Sequence, residues 1–265
     1  MVEQLIPSRE WVVTRNNVKV RGAGDRVMLF AHGFGCDQNM WRYVAPEFER
    51  DHRVVTFDYV GSGKSDLSAF DASRYGSLEG YAQDVLDVCD ALDLKGAIFV
   101  GHSVSAMIGV LAAARRPDRF SELVMIAPSP RYIDDPPDYV GGFGRSDIEA
   151  LLSVMDHNFI GWAAHLAPVV MANADRPELT GELQDSFCST DPTAARTFAT
   201  ATFYADNRAD LATIENPTLI VQVSDDAIAP VTVGEYLHQH IPNSTLTVLE
   251  ASGHCPHMSH PAQTI

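Results

Sequence analysis

Short runs of apolar residues along the chain alternate with longer segments in which apolar side chains recur at helical spacing. The runs predict buried strands, and the segments between them predict helices that cover a sheet. The predicted strands are Val27–Ala31, Arg53–Phe57, Ala97–Val100, Leu123–Ile126, Thr218–Val223 and Thr245–Leu249, and the predicted helices are Leu78–Leu92 and Ala106–Arg115. Strands and helices that alternate in this way form a parallel sheet, so the predicted fold class is α/β.

The alternation stops between Ile133 and Tyr204. An irregular stretch rich in proline and glycine is followed by helical segments with no strand between them. These segments are Arg145–Met155, Phe159–Ala172, Pro177–Cys188 and Pro192–Ala205. We therefore predict a first part of the α/β core at residues 1–132, an inserted four-helix cap at 133–205 and a second part of the core at 206–265.

The composition limits the classes of partner that the protein can bind. The chain has 265 residues with 35 acidic and 19 basic side chains, so its formal net charge is −16. Binding to nucleic acid or to an anionic lipid surface requires clustered positive charge, so we expect neither as a partner. The same charge favours a neutral substrate over an anionic one.

Cysteine usage and the N-terminal sequence indicate the compartment. Cys36, Cys89, Cys188 and Cys255 lie far apart and form no CxxC pair, which is typical of free thiols in a reducing environment. The N-terminus lacks the basic start and apolar run of a signal peptide, and the apolar stretches are about ten residues or shorter, too short to span a bilayer. We predict a cytoplasmic protein.

The strongest chemical signal is the pentapeptide Gly101-His102-Ser103-Val104-Ser105. It lies between a predicted strand and a predicted helix, which is the context of a nucleophile elbow. In such an elbow the serine hydroxyl is exposed above the sheet, and the residues two before and two after it must be small. Gly101 meets this requirement, whereas Ser105 replaces the usual glycine. The alternative interpretation is a loop serine that caps a helix.

A glycine-rich loop, His32-Gly33-Phe34-Gly35, directly follows the first predicted strand and lies about 70 residues before the serine. Backbone N–H groups in such a loop stabilise the negative oxygen that develops when an acyl group is attacked. We expect the N–H groups of Phe34 and Val104 to form this oxyanion hole.

A serine hydroxyl becomes a nucleophile when a histidine takes its proton and a carboxylate orients that histidine. His254 follows the last predicted strand, and Asp225 and Asp226 follow the strand before it. The order Ser, Asp, His along the chain fits the hydrolases that use this elbow. From the residues alone, either Asp225 or Asp226 could be the carboxylate that orients His254.

Aromatic side chains are concentrated in the predicted cap. Most are expected to pack between its helices, and those that face inward would form a narrow apolar pocket for a small hydrophobic ester or lactone. The predicted pocket residues are His32, Phe143, Phe159, Trp162 and Phe198, and the other cap aromatics are Phe187 and Phe203.

Two further patterns resemble ligand sites. Gly61–Ser65 ends like a phosphate-binding loop, but Asp58 occupies the position of the first glycine, so we interpret the segment as a structural turn. Three histidines recur at every third position of His254–His260 and surround Cys255. Because prolines interrupt any helix that could align them, we predict no metal site, and no other motif indicates a cofactor.

Several segments resemble α/β-hydrolases of the RsbQ type, a group of bacterial energy-stress regulators that also includes the plant karrikin and strigolactone receptors. The segments that carry the resemblance are Phe34–Gln38, Phe57–Gly63, Gly101–Val104, Tyr139–Phe143, Phe187–Pro192 and Gly253–Pro261. The resemblance implies an α/β-hydrolase fold with a V-shaped four-helix cap. It also implies a Ser103–His254–Asp226 triad, because related sequences place the acid four residues before a proline, here Pro230.

The same resemblance implies two functions. In the first, the protein is a serine hydrolase that forms an acyl-enzyme. In the second, it is a ligand sensor in which slow hydrolysis or ligand occupancy recruits a regulatory protein of the phosphatase type. The resemblance further implies a closing helix beyond Ile265.

Overall fold

A computed structural model describes residues 8–265, and the N-terminal residues considered above as a targeting segment lie outside this range. Seven strands form one sheet in the order β1-β3-β2-β4-β5-β6-β7. They are β1 (Lys19–Arg21), β2 (Arg26–Ala31), β3 (His52–Thr56), β4 (Ala97–His102), β5 (Phe120–Ile126), β6 (Thr218–Asp225) and β7 (Ser244–Ser252). All neighbouring pairs among these strands are parallel except β1 and β3, which confirms the predicted α/β class.

Helices cover both faces of the sheet and build the cap. They are α1 (Arg9–Arg15), α2 (Ala45–Phe48), α3 (Ala72–Tyr75), α4 (Leu78–Ala91), α5 (Val104–Arg115), α6 (Arg145–His157), α7 (Phe159–Met171), α8 (Pro177–Ser189), α9 (Pro192–Phe203), α10 (Val231–His240), α11 (Pro256–Ser259) and α12 (Pro261–Thr264). Short 3-10 turns lie at Gln38–Trp41, Leu67–Ala69, Pro117–Arg119 and Arg208–Thr213. Within the described residues, no helix combines the length and the apolar character needed to cross a bilayer.

The burial of the central strands explains the continuous apolar runs in the sequence. All six residues of β4 are buried, and in β2 only the first residue is exposed. A strand that is covered on both faces has no polar side and therefore shows no alternation. By contrast, β1 is the outermost strand of the sheet and its three residues are all exposed. This strand therefore has no apolar pattern and was not predicted. Of the helices outside the cap, only α4 and α5 were predicted; α1, α2, α3, α10, α11 and α12 were not.

The carboxyl ends of the parallel strands lie at one edge of the sheet, where the loops that follow them meet. The loops after β2, β4, β6 and β7 carry Phe34, Ser103, Asp226 and His254, respectively. The topology therefore brings together residues that are up to 220 positions apart in the chain.

Helices α6 to α9 form the cap over this edge, and their bounds lie within two residues of the four predicted cap helices. Their inward side chains share one hydrophobic cluster with the sheet, in which Met28 and Ile98 of the strands join Leu152 and Phe187 of the cap. Burial of large apolar side chains stabilises such packing by about 1.5–3 kcal/mol each. The cap therefore rests directly on the sheet edge that carries the four loops.

Candidate active site

Ser103 lies at the tip of a sharp turn between β4 and α5. Its backbone has φ +56° and ψ −125°, a conformation that residues other than glycine rarely adopt. Strand and helix approach so closely that a Cβ atom at Gly101 would lie 2.7 Å from the backbone carbonyl of Ser105. The turn therefore requires glycine at 101 and lifts the Ser103 hydroxyl above the sheet.

Ser105 occupies the position where a glycine was expected, and its hydroxyl has partners on two sides. Its Oγ donates to the carbonyl oxygen of His32 at 2.5 Å and accepts from the hydroxyl of Tyr59 at 3.0 Å. The residue is fully buried. Serine is therefore compatible with the turn, and it links the start of α5 to the loop that carries Phe34.

Ser103, His254 and Asp226 form a continuous hydrogen-bonded line. The Nε2 atom of His254 lies 2.7 Å from Ser103 Oγ, and its Nδ1 lies 2.7 Å from Asp226 Oδ2. All three residues are buried. A carboxylate that accepts from Nδ1–H leaves the Nε2 lone pair directed at the serine proton, which is the geometry of a general base.

The two neighbouring aspartates have different environments. Asp226 Oδ1 also accepts the N–H groups of Ile228 and Ala229 at 2.8 and 3.2 Å, which hold the carboxylate towards His254. Asp225 is exposed and accepts instead from the hydroxyl of Ser252 at 3.0 Å. The arrangement thus favours Asp226 as the residue that orients the histidine.

His102, which the sequence analysis did not single out, contacts the loop that carries His254. Its Nε2–H donates to the main-chain carbonyl of His254 at 2.8 Å. Complete burial, with His257 and His254 close by, lowers its pKa well below the ordinary value and keeps the ring neutral. The position of His102 inside the elbow pentapeptide was the only signal in the sequence.

The loop that carries His254 is also bonded to the cap. The N–H of His254 donates to the carbonyl oxygen of Val170 in the last turn of α7 at 2.8 Å. Asn173, just beyond α7, donates from Nδ2 to the carbonyl of Ser252 at 2.9 Å. A Cβ atom at Gly253 would lie 2.0 Å from the carbonyl oxygen of Met171, so the close approach requires glycine.

The predicted oxyanion-hole residues flank Ser103. Val104 begins α5, where the first N–H groups have no intrahelical partner, and Phe34 lies in the loop after β2. Neither N–H donates to a backbone carbonyl within residues 8–265. Both groups therefore remain available to a ligand oxygen.

A cavity of about 210 Å³ lies between the sheet edge and the cap, and Ser103 and His254 line it. Its apolar wall includes Phe34, Phe143, Leu166, Val170, Phe187 and Phe203. Exposed Asp147, His165 and Val169 also border the cavity and mark its mouth. A mostly apolar cavity that contains a few polar groups is typical of a small-molecule site.

Of the five predicted pocket residues, Phe143 lines this cavity and the other four do not. Trp162 and Phe198 pack behind Phe34 at ring distances of 6.0 and 5.7 Å, and Phe159 stacks on Trp162. His32 is fully buried beneath the loop, where its Nδ1–H donates to the carbonyl of Gly33. The prediction is therefore wrong for these four residues, which support the pocket wall from behind and do not form it.

The three histidines after β7 have separate environments. His254 faces Ser103, whereas His257 is buried between Trp41 and His102 at ring distances of 4.6 and 4.4 Å. Burial, then His254 and Arg42, lowers the pKa of His257 to about 3. His260 contacts the hydroxyl of Ser259. The spacing of every third residue therefore does not bring the three rings together.

One group among the described residues could offer ligands to a metal ion, namely His102, Cys255 and His257, whose ligand atoms lie within 4.8 Å of one another. The Nε2 atom of His102 is already bonded to the His254 carbonyl. Burial raises the pKa of the Cys255 thiol, which disfavours the thiolate that binds a metal.

The segment that resembles a phosphate-binding loop is organised by Asp58. The Asp58 carboxylate accepts the N–H groups of Gln38 and Lys64, both at 2.9 Å. A Cβ atom at Gly63 would lie 2.6 Å from this carboxylate. A carboxylate at the centre of the loop occupies the space that an anionic phosphate would need.

Comparison with known proteins agrees with the architecture. A family model described as alpha/beta hydrolase fold matches residues 26–261. The chain is 39% identical over 248 residues to strigolactone esterase D14 of Arabidopsis thaliana, with 93% of this chain and 92% of that protein covered. It is 38% identical to karrikin insensitive 2 receptor CA of Petunia hybrida, with 93% and 91% covered. The solved structure of olei00960, a hydrolase from Oleispira antarctica, is 51% identical, with a TM-score of 0.95 over 97% of this chain and 94% of that chain.

Proposed function

The chain belongs to the alpha/beta hydrolase fold family, and from that premise we propose that it is a serine hydrolase for a small neutral hydrophobic ester or lactone. The observation that carries the proposal is the line of hydrogen bonds from Asp226 through His254 to Ser103, with both distances at 2.7 Å. The line ends at an apolar cavity. The four cysteines are free thiols, which supports a cytoplasmic location.

In the proposed reaction, Ser103 Oγ attacks the carbonyl carbon while its proton moves to His254 Nε2. The carbonyl oxygen becomes negative and accepts from the N–H groups of Phe34 and Val104, each worth about 3 kcal/mol in the transition state. His254 then protonates the leaving alcohol, and the acyl group remains on Ser103. A water molecule activated by His254 releases the acid and restores the serine.

The proposed substrate class rests on the cavity and on the net charge. A cavity of about 210 Å³ accommodates a compact molecule, and its aromatic wall favours an apolar one. The net charge of −16 disfavours an anionic substrate by long-range repulsion. Strigolactone esterase D14 is named for an ester substrate, which supports the same class here.

Hydrolysis of p-nitrophenyl acetate by Ser103→Ala tests the proposal. We expect kcat/KM to fall by at least about a thousandfold, because the variant lacks the nucleophile. Ser189→Ala removes an exposed hydroxyl of the cap that bonds only within α8, and it should retain full activity. Undiminished turnover by Ser103→Ala would remove the basis of the proposal.

A second candidate function is ligand sensing, in which an occupied or acylated cavity recruits a regulatory protein of the phosphatase type. The 38% identity to a protein named as a receptor favours this candidate. Pull-down with a regulatory phosphatase, with and without a hydrolysable ester, separates the two functions. Fast turnover with no ester-dependent retention would exclude sensing.

A further inference from the structure

The hydroxyl of Tyr132 is a second group in contact with the Ser103 oxygen. It lies 3.2 Å from Ser103 Oγ, on the segment that leads from β5 into the cap. The side chain is buried and lines the cavity, and its ring packs edge-on against Phe203 at 5.4 Å. The hydroxyl is thus held beside the atom that forms and breaks the acyl bond.

The protons available to these groups determine the direction of the hydrogen bond. Ser103 has one hydroxyl proton, and the Nε2 atom of His254 at 2.7 Å accepts it when His254 acts as the base. The contact with Tyr132 must then use the tyrosine proton, so Tyr132 donates to a lone pair of Ser103 Oγ. Burial raises the pKa of Tyr132, which keeps this proton in place at neutral pH.

We propose that Tyr132 is a further catalytic residue, which stabilises Ser103 Oγ when that oxygen leaves the acyl group during hydrolysis of the acyl-enzyme. This inference rests on the proposed serine hydrolase function. In the step concerned, His254 takes a proton from water and the hydroxide oxygen bonds to the acyl carbon. The bond from that carbon to Oγ then breaks, its electron pair moves to Oγ, and His254 Nε2–H protonates Oγ. Tyr132 donates a hydrogen bond throughout and keeps its proton.

The donated hydrogen bond acts differently in the two halves of the reaction. In acylation, Ser103 Oγ supplies electrons to the carbonyl carbon, and a donor on Oγ withdraws electron density from it. In deacylation, Oγ receives an electron pair, and the same donor stabilises the developing charge. Loss of the Tyr132 hydroxyl should therefore slow deacylation more than acylation and prolong the life of the acyl-enzyme.

Tyr132→Phe removes only the hydroxyl, and Tyr139→Phe is a matched control. Tyr139 is a buried tyrosine of the same segment, but its hydroxyl donates to the carbonyl of Arg131 at 2.6 Å and does not contact Ser103. The measurement is stopped-flow release of p-nitrophenol from p-nitrophenyl acetate, together with the intact mass of the quenched enzyme. The initial burst reports acylation, the later steady rate reports deacylation, and the mass reports the acetyl group on Ser103.

We expect Tyr132→Phe to give a full burst, a steady rate reduced by about tenfold, which corresponds to about 1.4 kcal/mol, and a larger acetylated fraction. Tyr139→Phe should behave like the wild type. The burst amplitude counts competent active sites, so partial misfolding lowers the amplitude and is distinguished from slow deacylation.

A steady rate per competent site that is unchanged in Tyr132→Phe, or a burst rate that falls as much as the steady rate, overturns the role of Tyr132. Acetylation of wild-type Ser103 would in that case leave the serine mechanism intact. If the wild-type protein releases p-nitrophenol without a Ser103 adduct in any quenched sample, and Ser103→Ala is equally active, the proposed function fails and this inference fails with it.

Discussion

The Nε2–H group of His102 donates to the main-chain carbonyl of His254, 2.8 Å away. His102, which is next to the proposed nucleophile Ser103, thereby restrains His254, the proposed base. The His102 side chain therefore connects the turn after β4 to the loop after β7. The hydrogen bond restrains the distance between Ser103 and His254, on which proton transfer depends.

Replacement of His102 should therefore impair catalysis more than substrate binding. We expect His102→Leu to lower kcat by about tenfold or more with a small change in KM, since the His254 loop loses its anchor. His102→Gln retains an N–H donor and should recover part of the loss. Steady-state kinetics of the two variants check this, and equal rates for both would contradict a positioning role.

The identity of the triad acid is tested by the two adjacent aspartates. Asp226→Asn should lower kcat by about 10⁴-fold, because an amide cannot hold His254 in the tautomer that accepts the serine proton. Asp225→Asn changes an exposed side chain bonded to Ser252 and should remain within about twofold of the wild type. Kinetics with a p-nitrophenyl ester measure both variants. A reversal of the two effects would assign the acid to Asp225.

Acid should destabilise the fold through His257. Its folded pKa is about 3, against 6.5 in an unfolded chain, so the unfolded state binds more protons between these values and stability falls as the pH drops below about 6.5. From pH 7 to pH 5 this one residue should contribute a loss of about 2 kcal/mol.

Urea unfolding of wild type and His257→Gln at pH 7 and pH 5 measures this contribution, because glutamine does not titrate. The difference in unfolding free energy between the two proteins should change by about 2 kcal/mol over the interval. His157→Gln, at an exposed position of α6, controls for the loss of a histidine. Parallel pH dependences for wild type and His257→Gln would contradict the expectation.

Substrate length should be limited by Leu183, which is buried and lines two cavities. One is the cavity beside Ser103. The other has a volume of about 270 Å³ and is also bordered by Cys36, Asp37 and Glu182. Leu183→Ala shortens the side chain between them and should raise the ratio of p-nitrophenyl octanoate to p-nitrophenyl acetate hydrolysis by about tenfold.

Leu179→Ala is the matched control, because Leu179 is buried one turn earlier on α8 and borders neither of these two cavities. Both substitutions should lower stability by about 2–5 kcal/mol, so thermal unfolding confirms that they are comparable. The same change in chain-length preference for both variants would mean that Leu183 does not separate the two cavities.

The sheet and the cap helices could be predicted because their signals are local. A buried strand such as β4 is continuously apolar, and the turn at Ser103 has a recognisable sequence between strand and helix. The edge strand β1 has no buried residue, so no apolar pattern marks it. Signals that depend on burial are strongest where the chain is most enclosed.

Most of the pocket wall could not be predicted, because it depends on how each cap helix is rotated. Phe198 and Phe203 both lie on α9, but they are five residues apart and project about 140° from each other around the helix axis. Phe198 packs against Tyr81, whereas Phe203 faces the cavity. Hydrophobic periodicity identifies the buried face of a helix. Whether a side chain on that face contacts the sheet or the cavity depends on how the helix packs. Tyr132 belongs to an irregular segment, which has no periodicity at all.

The hydrogen bond from the His254 N–H to the Val170 carbonyl couples the position of the cap to the position of the proposed catalytic base. An outward movement of helix α7 would stretch or break this bond and remove one restraint on the position of the imidazole. A ligand that displaced the end of α7 outward would lengthen the distance from His254 Nε2 to Ser103 Oγ, and the proposed proton transfer would then be slower. The position of α7 would in this way affect how fast the proposed reaction hydrolyses a bound ligand.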